Sequence, residues 1–131
     1  MPPDLPPPVL EVFYSPSCAP CRLELPVLAK AVEGGGTVVR IVILDQEQRA
    51  REDLRAVSPK LEAAAVAPTE ADPRDTLRSA GNANGILPYA LSRTDRGEVC
   101  DRWSGGLTMT RLRILLEACS RLITSPQRSR S

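Results

Sequence analysis

A pair of cysteines three residues apart, Cys18 and Cys21, restricts most strongly how this chain can fold. The pair follows a short apolar run, Val9–Tyr14, whose length and β-branched and aromatic content are typical of a buried strand. After Pro20, apolar side chains recur at helical spacing, so the cysteines lie where a strand turns into a helix. In the first turn of a helix, two sulfurs at this spacing can reach disulfide distance, and the first sulfur faces backbone N–H groups without helical partners. One sulfur can therefore attack a partner while the other resolves the intermediate.

The length of the chain indicates one domain with a short segment on either side. It has 131 residues, of which 42% are hydrophobic, and this is enough for one core and too little for two. Residues 1–8 contain five prolines, which favour an extended and flexible segment. We expect the domain to cover residues 9–123, and residues 124–131 to form a flexible polar tail.

Charge and composition exclude several classes of protein. The net charge is +1 and no long block of either sign occurs, so we expect no nucleic-acid partner. Histidine is absent, which removes Ser-His-Asp and Cys-His catalytic arrangements and every histidine-ligated metal site. We therefore expect neither a metal nor another cofactor. No stretch approaches the roughly 20 apolar residues of a membrane span, so we expect a soluble protein, which we take to be a monomer.

The remaining helices and strands are predicted from apolar spacing and from their start and stop residues. The first helix runs from Pro20 to Val32, with Leu23 on its apolar stripe and a kink at Pro26. The nearly continuous Val and Ile of Thr37–Leu44 predict the central strand of a parallel sheet. Later elements are a helix over Gln46–Val57, a helix and a short strand around Leu61–Ala67, a helix over Pro73–Ala80, a hairpin from Pro88–Ser92 to Glu98–Trp103, and a last helix over Leu112–Ile123.

This order of elements, together with the cysteine motif, resembles the thioredoxin superfamily. The run Cys18–Pro26 is similar to the Cys-x-Pro-Cys-Arg/Lys-x-Glu-x-Pro signature of its TlpA/ResA-like branch, whose members are extracytoplasmic thiol-disulfide oxidoreductases. Asp72-Pro73, Pro88 and Asp95–Val99 follow in the order shown by that branch, so the resemblance spans about residues 9–123. It implies an α/β, thioredoxin-like fold with a central mixed β-sheet flanked by helices on both faces.

The two cysteines and one carboxylate are the candidate catalytic residues. Cys18 is the expected nucleophile, because a helix N-terminus lowers the pKa of a thiol below about 8.5, and Cys21 is the expected resolving thiol. The resemblance implies that Glu24 lies beneath the cysteines, where a carboxylate can accept the proton of Cys21. The alternative for Glu24 is a solvated side chain paired with a nearby arginine. The alternatives for the cysteines are an inert pair or half of a metal site.

The resemblance also implies a substrate-binding surface beside the cysteines. Pro88 is similar to a cis-proline next to the active pair, where the preceding residue, Leu87, offers backbone groups to a bound substrate strand. We assign Ala19, Pro20 and Tyr89 to the same surface. Without the resemblance, a trans Pro88 that opens a strand is favoured, because only about 5% of X-Pro bonds in folded proteins are cis.

Two further cysteines, Cys100 and Cys119, lie at apolar-facing positions of a strand and a helix. We expect them to be structural thiols that behave as small hydrophobic residues. A disulfide between them is the alternative in an oxidising compartment.

Together these residues predict dithiol-disulfide exchange with cysteine-containing protein substrates through a Cys-Ala-Pro-Cys active site, the activity of a thioredoxin-like reductase. An upstream thiol-disulfide electron donor or acceptor is the second expected partner, and the sequence leaves the direction of transfer open. The alternative is a non-catalytic thioredoxin-fold module that binds a peptide or protein and contains a structural Cys18–Cys21 disulfide. The resemblance implies an extracytoplasmic location in a bacterial periplasm, either as a free soluble protein or as a soluble domain of a longer exported or anchored protein. A cytoplasmic location is the alternative.

Overall fold

The computed structural model describes residues 6–124. Its strands form one five-stranded sheet in the order β3-β2-β1-β4-β5. Residues 1–5 and 125–131, most of the two predicted flexible segments, lie outside the described residues, and the domain bounds stay a prediction. In chain order the elements are β1 (Val9–Tyr14), α1 (Ala19–Leu23), α2 (Leu25–Glu33), β2 (Val38–Ile43), α3 (Glu47–Val57), α4 (Pro59–Ala63), β3 (Ala65–Val66), α5 (Pro73–Ser79), β4 (Tyr89–Arg93), β5 (Val99–Ser104) and α6 (Met109–Thr124).

The sheet is mixed, and helices cover both of its faces. β1 pairs in parallel with β2, and β2 pairs in parallel with β3, whereas β4 runs antiparallel to β1 and β5 antiparallel to β4. One face packs on α2, α3, α4 and α6, and the other packs on α5. The predicted α/β class and mixed sheet are therefore confirmed. Within residues 6–124, no helix is long and apolar enough to cross a membrane.

The prediction that β2 is the central strand is wrong, because β1 occupies the centre between β2 and β4. The apolar content of β2 reflects its interior position, but its first residues are not covered on both faces. Val38 is 43% exposed, and the Arg40 side chain is about half exposed. A strand can thus be rich in Val and Ile without being buried along its full length.

The first predicted helix is two helices, α1 and α2, which meet at Glu24 rather than bending at Pro26. Pro26 lies in the first turn of α2, where a missing N–H has no cost, and its ring would clash with a carbonyl if one helix continued through it. The break also changes the register of α1. Leu23, predicted on the buried stripe, is instead 80% exposed.

A buried carboxylate lies on the sheet face that packs on α5. Glu11 of the central strand is 6% exposed, and its carboxylate accepts hydrogen bonds from Arg93 Nε and Nη2 at 3.3 and 3.2 Å. Arg40 Nε lies 3.9 Å from the second carboxylate oxygen. The two guanidinium groups therefore compensate the buried charge on this face of the sheet.

Cys100 and Cys119 form a disulfide that links β5 to α6, with 5.0 Å between the Cα atoms. The expectation of two free structural thiols is therefore wrong, and the alternative is confirmed. Both cysteines were predicted at apolar-facing positions, one on a strand and one on a helix. Cys119 is fully buried. The disulfide attaches the C-terminal helix to the edge strand of the sheet.

Candidate functional site

The cysteine pair lies just beyond the C-terminal end of β1, at the start of α1. Cys18 is the N-cap of α1, and its Sγ accepts a hydrogen bond from the Cys21 backbone N–H at 3.1 Å. The two residues form a disulfide with a Cα–Cα distance of 5.2 Å. Cys18 is half-buried, whereas Cys21 is 2% exposed. Only the first sulfur is therefore open to a partner, while the second faces the protein interior.

Side chains from the loop after β2 fix the loop that carries Cys18. Ser15 Oγ donates to the Asp45 carboxylate at 2.8 Å, and Gln46 Nε2 donates to Ser17 Oγ at 2.8 Å. The Cys18 N–H donates to the Ser15 carbonyl at 3.0 Å. These contacts were not predicted from the sequence. A signal was available, because polar residues that follow neighbouring parallel strands meet at the same edge of a sheet.

Glu24 lies at the junction of α1 and α2 and is 4% exposed. Its Oε2 accepts a hydrogen bond from the Leu107 backbone N–H at 2.8 Å, and no arginine pairs with it among the described residues. The solvated alternative is therefore wrong. Burial raises the pKa of Glu24 to about 7, and the hydrogen bond from Leu107 opposes this shift. At neutral pH the carboxyl group can both accept and release a proton.

Pro88 is preceded by a cis peptide bond, as the resemblance implies. Pro88 itself is buried, and its carbonyl accepts a hydrogen bond from the Gly105 N–H at 2.9 Å. Leu87 and Cys18 are both partly buried and pack against the same hydrophobic core cluster. The loop that carries the cis-proline and the start of α1 thus share one side of the core.

The side chain of Tyr89, a residue assigned to the substrate surface from the sequence, is buried in the protein interior. Tyr89 is 3% exposed, its ring centroid lies 5.6 Å from that of Phe13, and its hydroxyl donates to the Ala80 carbonyl at 2.7 Å. It connects β4 to the end of α5 as part of the second core cluster. Only its backbone is left for contact with a substrate.

The outer surface of α1 is open to solvent. Ala19 and Pro20, both assigned to the substrate surface, are exposed, and Leu23 is the most exposed of the large hydrophobic residues. Ile86, two residues before the cis-proline, is 57% exposed. Within residues 6–124, no group of three Cys, Asp or Glu side chains lies close enough to hold a metal ion.

Several solved structures share this fold. A thioredoxin-related protein from Neisseria meningitidis serogroup B is 22% identical, with a TM-score of 0.71 over 87% of this chain and 86% of that one. StoA from Bacillus subtilis is 18% identical, with a TM-score of 0.64 over 86% and 84% of the two chains. A secreted disulfide oxidoreductase from Mycobacterium tuberculosis is 12% identical, with a TM-score of 0.63 over 86% and 81%. No family model and no curated protein sequence matches. Similarity at these identities establishes the fold, and the chain therefore has the thioredoxin-like fold that its sequence predicts.

Proposed function

We propose that this protein is a thiol-disulfide oxidoreductase that exchanges disulfides with cysteines of protein partners through Cys18 and Cys21. The observation that carries the proposal is the unequal exposure of the two sulfurs. Cys18 is half-buried at a helix start and Cys21 is fully buried beside it. This arrangement suits a dithiol in which one sulfur meets the partner and the other completes the exchange internally.

In the reducing direction, the Cys18 thiolate attacks one sulfur of a partner disulfide. The new bond joins Cys18 to the partner, and the second partner sulfur leaves as a thiolate that takes up a proton. The Cys21 thiolate then attacks the Cys18 sulfur, which forms the Cys18–Cys21 disulfide and releases the first partner sulfur. Two electrons pass from the dithiol to the partner. The Cys21 N–H, which lies 3.1 Å from Cys18 Sγ, stabilises negative charge on that sulfur.

The buried thiol of Cys21 has to lose a proton before it can attack, and we assign Glu24 as the group that accepts it. Glu24 lies three residues after Cys21, about one helical turn further along the chain. It is buried, and burial raises its pKa to about 7. A base with a pKa near the working pH is the most effective general base. The same group returns the proton when the disulfide is reduced again by an upstream thiol donor.

We also propose an extracytoplasmic location. The described residues contain two disulfides, and the sulfur of Cys119 is completely buried. Disulfides of this kind persist in oxidising compartments and are rare in the cytosol. The similar Mycobacterium tuberculosis protein is described as secreted. Rapid acid quenching of cells followed by alkylation would test the location, since a cytosolic protein would yield Cys100 and Cys119 as free thiols.

A glutathione redox titration tests the function. The purified protein is equilibrated at graded ratios of reduced to oxidised glutathione, and alkylated cysteines are counted by mass spectrometry with the two pairs resolved. We expect a reversible two-electron transition of Cys18 and Cys21, whose midpoint defines the direction of transfer. A pair that stays oxidised at every ratio would overturn the proposal in favour of a non-catalytic binding module with a structural disulfide.

A further inference from the structure

Gln46, in the loop between β2 and α3, has an unfavourable backbone conformation. Its φ and ψ are 49° and 54°, and no other non-glycine residue has a positive φ within residues 6–124. The left-handed region brings Cβ close to the following carbonyl, so side chains other than glycine, asparagine and aspartate seldom adopt it. Gln46 is the N-cap residue of α3, yet its side chain does not cap the helix. The helix therefore does not explain why glutamine occupies this position.

The side chain of Gln46 reaches instead to the residue that precedes the exposed cysteine. Gln46 Nε2 donates to Ser17 Oγ at 2.8 Å, and both residues are exposed. The backbone of this loop is already fixed, because Ser15 Oγ accepts from the Ser17 N–H at 3.2 Å and is itself bound to Asp45. The Gln46–Ser17 contact is thus an additional hydrogen bond on the solvent side of the loop, directly beside Cys18.

The glutamine amide keeps hydrogen-bonding groups for another molecule. A primary amide has two N–H donors and a carbonyl acceptor, and only one donor is used among the described residues. Ser17 is the residue directly before Cys18, so a partner whose sulfur reaches Cys18 meets a surface that the Ser17–Gln46 pair borders. The carbonyl oxygen and the second N–H of Gln46 are the groups that this border offers to a residue flanking the partner's cysteine.

We propose that Gln46, fixed by Ser17, makes Cys18 select partners that carry a small polar residue next to the reactive cysteine. This inference rests on the proposed function, since it concerns the choice of partner in the same exchange. The partner residue would be one that both donates and accepts a hydrogen bond, such as serine. An apolar residue at that place would displace water from the exposed amide without replacing its hydrogen bonds, so partners with such a residue would not be preferred.

Two short peptides provide the test, identical except for serine or leucine beside their single cysteine, each as a mixed disulfide with glutathione. The protein is reduced in advance and freed of reductant, and chromatography then measures the second-order rate constant for each peptide. Each turnover converts the protein dithiol to the Cys18–Cys21 disulfide and the mixed disulfide to a peptide thiol and glutathione. We expect the protein to favour the serine peptide by roughly fivefold, the effect of one net hydrogen bond.

The Gln46→Leu variant still has a non-glycine residue in the left-handed conformation but lacks the side-chain amide. Its ratio of the two rate constants should therefore fall to about one. Gln46→Gly should lose the preference as well, while its Tm rises by about 3 °C because glycine tolerates this backbone. Gln48→Leu is the matched control, since Gln48 is exposed on α3 and makes no side-chain hydrogen bond within residues 6–124. This variant should show the same ratio of the two rate constants as the unchanged protein.

The outcomes separate this inference from the proposed function. If the unchanged protein reacts with both peptides at equal rates, or if Gln46→Leu retains the preference, the role of Gln46 is refuted and the oxidoreductase proposal stands. If the reduced protein reacts with neither peptide, the proposed function itself fails, and the role of Gln46 fails with it.

Discussion

Replacing Glu24 by glutamine is expected to change how the stability of this protein depends on pH. Glu24 is 4% exposed, and loss of solvation raises the pKa of its carboxyl group from 4.5 to about 7. The single hydrogen bond from the Leu107 N–H compensates the buried negative charge only in part. Glutamine keeps an oxygen that can accept this hydrogen bond and carries no charge at any pH, so it resembles the protonated form of Glu24.

The sign of the effect follows from where the proton is held. Between pH 4.5 and about 7 the folded protein keeps the Glu24 proton, whereas the unfolded chain has already lost it. The folded state is therefore favoured at low pH, and its stability falls as the pH rises through this window. The difference between the two pKa values corresponds to about 3 kcal/mol. Part of this change falls below pH 5 or above pH 8, so about 2 kcal/mol of it lies between those two values.

Urea unfolding at pH 5, 6, 7 and 8 measures this effect, with the fluorescence of the only tryptophan, Trp103, as the signal. The relevant quantity is the free energy of unfolding of Glu24→Gln minus that of the unchanged protein. We expect this difference to rise by about 2 kcal/mol from pH 5 to pH 8. Glu117→Gln, which removes an exposed carboxylate from α6, should leave its own difference constant within about 0.5 kcal/mol. If the difference between Glu24→Gln and the unchanged protein stays constant or falls as the pH rises, the raised pKa of Glu24 is refuted.

Three further changes test other parts of the structure. Cys21→Ala should leave partners attached to Cys18 as a stable mixed disulfide, and a non-reducing gel that shows no such species after incubation with a protein disulfide would contradict the order of attack. Replacing both Cys100 and Cys119 by alanine opens a loop with a sequence separation of 19 residues. This should lower the free energy of unfolding by about 3 kcal/mol and leave the glutathione titration of the other pair intact; a lost transition would show that the pairs are coupled. Tyr89→Phe removes a buried hydroxyl that donates at 2.7 Å to a backbone carbonyl, which should cost about 1–2 kcal/mol in urea unfolding, and an unchanged midpoint would refute that role.

Local sequence patterns predicted most of the elements of this fold. The apolar run before the cysteines, the Val and Ile of β2, the Asp72-Pro73 start of α5 and the hairpin all form where they were expected, because each depends on neighbouring residues. The position of β2 within the sheet was wrong, because strand order depends on which elements pair across the whole chain. Periodicity also misplaced Leu23, since the proline that follows divides the helix and shifts its register.

The candidate site was predictable in its chemistry and less so in its surroundings. The Cys18–Cys21 pair follows from a local motif, and the cis bond before Pro88 follows from the resemblance to a known family. The burial of Glu24 depends on Leu107, which is 83 residues away in the sequence and whose N–H replaces water for the carboxylate. The contacts of the Tyr89 side chain could not be predicted for a related reason. Its position after the proline is local, but its hydroxyl partner, at the end of α5, is known only once β4 and α5 are packed.

Two features at the site reduce the stability of the folded protein. Glu24 is a buried carboxylate with no cation beside it among residues 6–124, and Gln46 has a left-handed backbone. Each is expected to cost on the order of 1–3 kcal/mol at neutral pH, a substantial part of the 5–15 kcal/mol that stabilises a typical domain. The Cys100–Cys119 disulfide, which joins β5 to α6, stabilises the fold by a similar amount. Because disulfides persist in oxidising compartments and are rare in the cytosol, this contribution offsets the cost of the site only under oxidising conditions.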